Sequence, residues 1–180
     1  MGAQLWSYVS GSHESPQDAL QEIQSKYLAE YDLHHLLQTR LESVRKAVEH
    51  TAIDDEYGLL DCYRDELEIL ESLAADGIPK ATLDQLNFFR KIHSASGEYS
   101  GTVLDVENVS FRLGEHVTGQ MTNSQLLEWV GHEKPTQKEA EEAIDLLNEQ
   151  LGRAESVCFK IYSDDRSKDI GWIFVGNSVD

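Results

Sequence analysis

Leu33, Leu37, Leu41, Val44 and Val48 recur at steps of four, four, three and four residues, the interval that stacks side chains on one face of an α-helix. A helix over Leu33 to His50 is predicted. From Asp54 to Ala75 the contrast is stronger: Leu59, Leu60, Tyr63, Leu67, Leu70 and Ala74 share a face, while Asp54, Asp61, Asp65 and Glu68 fall roughly opposite. Gly58 costs about 1 kcal/mol relative to Ala inside a helix, which favours a start a few residues later. Asp76-Gly77-Ile78-Pro79 ends this segment, because Gly takes the left-handed cap and Pro cannot continue the turn. Upstream, Ser15-Pro16 opens a helix to about Glu30, with Ala19, Leu20, Ile23 and Tyr27 at helical spacing. Three capping boxes, Thr82 with Gln85, Thr122 with Gln125 and Thr136 with Glu139, mark further helix starts. The first runs through Phe88, Phe89 and Ile92, the second stops at Gly131, and the third carries Ala140, Ala143, Ile144, Leu147 and Leu151.

Period-two segments appear at the two ends. Gln4 to Val9 is aromatic and β-branched, and Ser156 to Tyr162 and Ile170 to Val175 flank a polar turn, as in an antiparallel hairpin. Ile170 to Val175 has apolar residues on both faces and reads as a central strand with the amino-terminal strand beside it. Ser94 to Thr102 reads as a loop, and the following TVLDVENVSFRL as extended chain. The expected architecture is α+β: one globular domain over residues 1 to 180, mostly helical, with a small antiparallel sheet formed by the N-terminal strand and a C-terminal β-hairpin.

Composition narrows the function classes. Asp and Glu number 33 against 15 Lys and Arg, a formal charge of -18, which disfavours nucleic acid or an anionic membrane surface and favours a basic partner. The first ten residues have neither the basic start nor the apolar stretch of a signal peptide, and no run is long enough to span a bilayer, so a cytoplasmic location is expected. Cys62 and Cys158 are far apart and outside any C-x-x-C pair, so spacing offers no disulfide framework or zinc site, and both are read as buried thiols.

Candidate chemistry is sparse. His34 and His35 point about 100° apart on a helix, and no His pair has the four-residue spacing that places two metal ligands on one face. His132-Glu133 begins like H-E-x-x-H, but Pro135 breaks the helix that motif requires. Gly114 to Gly119 has the glycine spacing of a phosphate loop without the Lys and hydroxyl that follow it, and Gly97 to Gly101 misplaces its serine for a nucleophile elbow. No catalytic residue, cofactor or metal ligand is assigned. An enzymatic alternative remains, a small hydrolase or transferase with a site in the Gly97 to Gly119 region near His93 and His116.

The acidic stripe has more content. Between Asp54 and Asp76 nine acids face one base, Arg64, which concentrates about -8 of the charge in 23 residues. Such a field steers a basic partner to encounter, and its alternative is a solvated helix face.

The opening Met1-Gly2-Ala3-Gln4-Leu5-Trp6-Ser7-Tyr8, the helix behind it and the aromatic hairpin ending Gly176-Asn177-Ser178-Val179-Asp180 resemble a little-characterised group of small acidic bacterial proteins that open MGAxLWSY. The resemblance covers the two ends, about a third of the chain, and implies a bacterial cytosolic origin. Gly11-Ser12 stands where that group has Pro-Tyr, and no functional residue is carried over. The expected function is a non-enzymatic protein-binding module, an immunity or inhibitor protein that occludes a basic toxin effector through Asp54, Asp61, Asp65 and Glu68.

Overall fold

A computed structural model describes residues 5–53, 55, 57–97, 100–112, 116–152 and 154–177. In chain order its elements are β1 (Leu5–Val9), α1 (Pro16–Leu28), α2 (Leu33–Thr51), α3 (Leu60–Asp76), α4 (Thr82–Ser94), a 3₁₀ turn (Val103–Asp105), β2 (Asn108–Ser110), β3 (Val117–Gln120), α5 (Asn123–Trp129), α6 (Gln137–Glu142), α7 (Ile144–Gln150), β4 (Ser156–Tyr162) and β5 (Asp169–Asn177). They divide into two compact units, 27–99 and the remainder of the chain on either side of it. No described helix is long and apolar enough to cross a membrane.

The flanking unit is built on a five-stranded sheet in the order β1-β5-β4-β3-β2. β5 is central, as its two apolar faces require, and pairs antiparallel with β1 and β4. The sheet is mixed, however, which corrects the expectation of an antiparallel one: β3 runs parallel to both β4 and β2. Between the parallel neighbours β3 and β4 the crossover is long and carries α5, α6 and α7, whereas only six residues separate the parallel β2 and β3. β2 falls within the segment read as extended chain, whereas β3 (VTGQ) was missed: it is four residues long and contains Gly119, so it lacks the alternating apolar signature of a half-buried strand. Met121, Leu126, Ala140 and Leu147 from the crossover pack with Val157, Phe159, Ile161, Ile173 and Val175 from one face of β4 and β5. On α1, the buried Gln24 donates through Nε2 to the Val103 and Val106 carbonyls at 2.9 and 2.6 Å, and Gln17 Oε1 accepts from Val109 N–H.

Local signals were mostly honoured. Thr122 with Gln125 and Thr136 with Glu139 form reciprocal capping boxes. Thr82 does not: Ala81 occupies the N-cap, and the Gln85 side chain donates to the Pro79 carbonyl instead. The last helix is two, because Ala143 N–H is shared among carbonyls that include Glu139 and Ala140, and the axis turns there without a Gly or Pro to announce it. Cys158 is buried, and burial pushes its thiol pKa up; Cys62 is exposed on α3, which corrects the buried reading.

In the 27–99 unit, Leu33, Leu37, Leu41 and Val44 line the buried face of α2 as the spacing predicted. The aromatic rings of Tyr27, Tyr31 and Phe89 meet edge to face, and His93 stacks obliquely on Phe89 with centroids 4.5 Å apart.

Candidate functional site

The start of α3 is set by two local devices. Gly58 adopts φ 66° outside the helix, where a side chain would be strained, and Asp55 Oδ1 accepts from the Leu59 and Leu60 amides. From Leu60 onward, Leu70 and Leu73 are buried, with Tyr63 and Leu67 half-buried beside them. The inward face is therefore rotated from the predicted one: Leu59 and Ala74 are exposed, and Glu66 is buried among the apolar groups. Burial of that carboxylate is compensated by Arg40 of α2, whose Nε donates to Oε1 at 2.8 Å. Arg45 reaches Glu71 at 2.9 Å across a far more exposed gap.

The acids expected to touch a partner lie on the other side. Asp61, Asp65 and Glu68 are separated by four and three residues, so they form one exposed line along α3. Asp61 is held loosely by Arg64 at 3.3 Å, with its side chain 91% exposed. No ion pair among the described residues engages Asp65 or Glu68. Asp54 lies outside the described residues.

Asp65 and Glu68 also border a groove of about 640 Å³ between α3 and the last turn of α4. Ile69, Leu73 and Asp76 continue its α3 wall, and Lys91, Ser94 and Ala95 form the opposite one. Ile69 is 45% exposed, an apolar side chain presented between carboxylates. Tyr57 and Ile53, in the α2–α3 connection, are exposed more fully still. Sequence reading missed Ile69, although it lies off the apolar stripe, one turn beyond Asp65 on the acidic side; that position was the available signal.

The residues of the enzymatic alternative fall in different units. His93 sits near the end of α4 in the 27–99 unit, beside a pocket of about 260 Å³ with Leu36, Arg40, Ser43 and Ile92. His116 belongs to the other unit, in the left-handed conformation just before β3, where its carbonyl accepts from Glu107 N–H. Gly119 is a strand residue, and Gly114 lies outside the described residues. Asp105 accepts from the amides of Ser100, Gly101 and Thr102, so this carboxylate locks its own turn. Among the described residues no three His, Cys, Asp or Glu side chains converge as a metal site.

No protein-family model, curated protein or solved structure matches the chain.

Proposed function

We propose that this chain is a non-enzymatic acidic binding module, a cytoplasmic immunity or inhibitor protein that occludes a basic effector such as a toxin domain. The observation that carries the reading is the placement of Asp61, Asp65 and Glu68 on one exposed line of α3, two of them bordering a groove that Ile69 and Leu73 also line. The two features have different energetic roles. Ion pairs at an exposed rim contribute about 0 to 1 kcal/mol each, so the carboxylates mainly accelerate encounter and exclude acidic partners. Affinity comes from apolar groups that lose water, and Ile69, Leu59, Tyr57 and Ile53 are exposed apolar side chains on α3 or in the connection that leads into it. An effector that inserts an apolar side chain ringed by Lys and Arg would satisfy both.

The test is capture from the native host at low and high salt, with wild type and with the charge-reversed variant D61K/D65K/E68K. A basic protein should be retained by wild type at low salt and lost from the variant, while both melt at the same temperature. The captured protein, assayed alone, should be inhibited by the wild-type chain and not by the variant. Equal inhibition by both would remove this face from the mechanism.

A further inference from the structure

β4 carries a main-chain rung that the rest of the sheet leaves open. Ser10 N–H donates to the Trp172 carbonyl at 2.9 Å, so even-numbered residues of β5 direct their peptide groups toward β1. Asn177 N–H donates to the Glu155 carbonyl at 3.0 Å, so odd-numbered residues direct theirs toward β4. Lys160 is in register with Trp172, an even residue; that pair is therefore not hydrogen-bonded, and the Lys160 N–H and C=O face the β3 side. β3 ends too early to meet them. Its last bond to β4 is Met121 N–H to the Cys158 carbonyl at 3.0 Å, and the next bond on that edge is Tyr162 N–H to the Pro135 carbonyl at 2.9 Å. Between the two, no hydrogen bond from the Lys160 main chain closes the gap among the described residues.

Lys160 also lines a cavity of about 130 Å³, together with Gln120, Asn123, Glu133, Phe159, Tyr162 and Trp172 among others. Phe159 belongs to the sheet face packed on the helices, and Trp172 to the opposite face, so residues of both faces line the cavity. It lies beyond the carboxyl end of β3, where the crossover to a parallel neighbour begins.

The chemistry of the lining selects a ligand class. Lys160 is not an open cation: Nζ is 2.6 Å from Asp169 Oδ2 and lies 5.5 Å above the Trp172 ring, and Glu133 adds negative charge at the rim. An anion is disfavoured there. What remains is one N–H and one C=O of the same residue, side by side, with Phe159, Tyr162 and Trp172 in the lining. The complementary group offers an acceptor and a donor side by side, as the two residues of a hydrogen-bonded antiparallel pair do for each other. A primary carboxamide has that edge, and its remaining N–H can be met by Glu133, Gln120 or Asn123. We propose that this notch binds a primary carboxamide, borne by a small free molecule or by an Asn or Gln side chain of another protein.

The probe is acetamide, titrated into the ¹⁵N-labelled full chain and followed by amide resonances. Saturable shifts are expected at Lys160 and its strand neighbours, with half-saturation on the order of 10 mM for a ligand of so few atoms. N,N-dimethylacetamide, which has no N–H, should bind at least fivefold more weakly. N123W, at an exposed lining position, should abolish the shifts; E133W, in the loop, serves the same purpose should N123W fail to fold. A blocked Gly-Gln-Gly methylamide peptide separates the sources: tighter binding than acetamide assigns the site to a protein side chain, and exclusion of the peptide with acetamide retained assigns it to a free amide. The proposal is overturned by no saturation at ten times the stated concentration, by an equal response to dimethylacetamide, or by shifts that persist in a folded plugged variant.

Discussion

Arg40 Nε donates to Glu66 Oε1 at 2.8 Å, and Glu66 is the one acid of α3 that is buried. Two residues further on, Glu68 faces solvent. Two residues, about 200° around the helix, thus separate a carboxylate that holds α2 to α3 from one that faces solvent. Removing one partner of a buried pair leaves an uncompensated charge and costs about 3 kcal/mol. Glu66→Ala should lower stability by roughly that amount in urea denaturation, whereas Glu68→Ala and Asp65→Ala should stay within about 0.5 kcal/mol of wild type.

Two glycines of β5 lie against neighbouring chain with no room for a side chain. A Cβ at Gly171 would lie 2.3 Å from the Ser10 carbonyl oxygen, a main-chain atom, and one at Gly176 would lie 2.2 Å from Trp6 Cζ2 and 2.7 Å from Ser156 Cβ. Gly171→Ala and Gly176→Ala should each cost about 1 to 3 kcal/mol through overpacking. Gly11→Ala meets only the Glu22 carboxylate at 3.5 Å and should be nearly neutral. Urea midpoints of the three variants provide the comparison.

Glu22 is the acid-sensitive point of the β1–α1 corner. Its side chain accepts from Lys26, lies 2.5 Å from His13 Nε2 and accepts from Gly11 N–H, and these contacts, with Lys26 the largest, hold its pKa down to about 2 from 4.5. A carboxyl whose folded pKa is depressed contributes stability that is fully present above pH 4.5 and is lost as pH falls through 4.5 toward about 2. Glu22→Gln should flatten the pH dependence of stability across that window and be relatively most costly above it. A series of urea curves from neutral to acid pH measures the difference.

The two thiols should separate cleanly. Cys62 is exposed, one turn before Asp65 and on the same side of α3 as Ile69, whereas Cys158 is buried with a raised pKa. A thiol-reactive disulfide reagent should therefore modify one cysteine quickly in the folded chain and the second only after unfolding. A bulky maleimide on Cys62 should block capture of a basic partner without changing the melting temperature.

Capping chemistry provides a local test. Thr122 and Thr136 each accept from an amide of the first turn of a short crossover helix, at 3.4 and 3.3 Å, while their own amides donate to Gln125 and Glu139. Replacing either Thr by Ala should cost about 1 kcal/mol in urea denaturation, with no effect on partner capture.

Local rules went a long way with this chain. The spacing of Leu33, Leu37, Leu41 and Val44, the boxes at Thr122 and Thr136, the stop at Gly77 and the two-faced apolar run of β5 all follow from interactions within a turn or a strand, so the residues alone announce them. The line of Asp61, Asp65 and Glu68 was legible for the same reason, since helical spacing fixes which side chains share a face. The groove beside it was not, because Ile69 lines a groove only once Lys91 and Ser94 arrive from another helix. Glu66 looked like one more solvated acid until Arg40, 26 residues earlier, took it inward. The parallel strands β2 and β3 and the open rung at Lys160 also belong to the tertiary structure: a three- or four-residue strand has no period of its own, and which peptide groups remain unpaired depends on where a neighbouring strand stops.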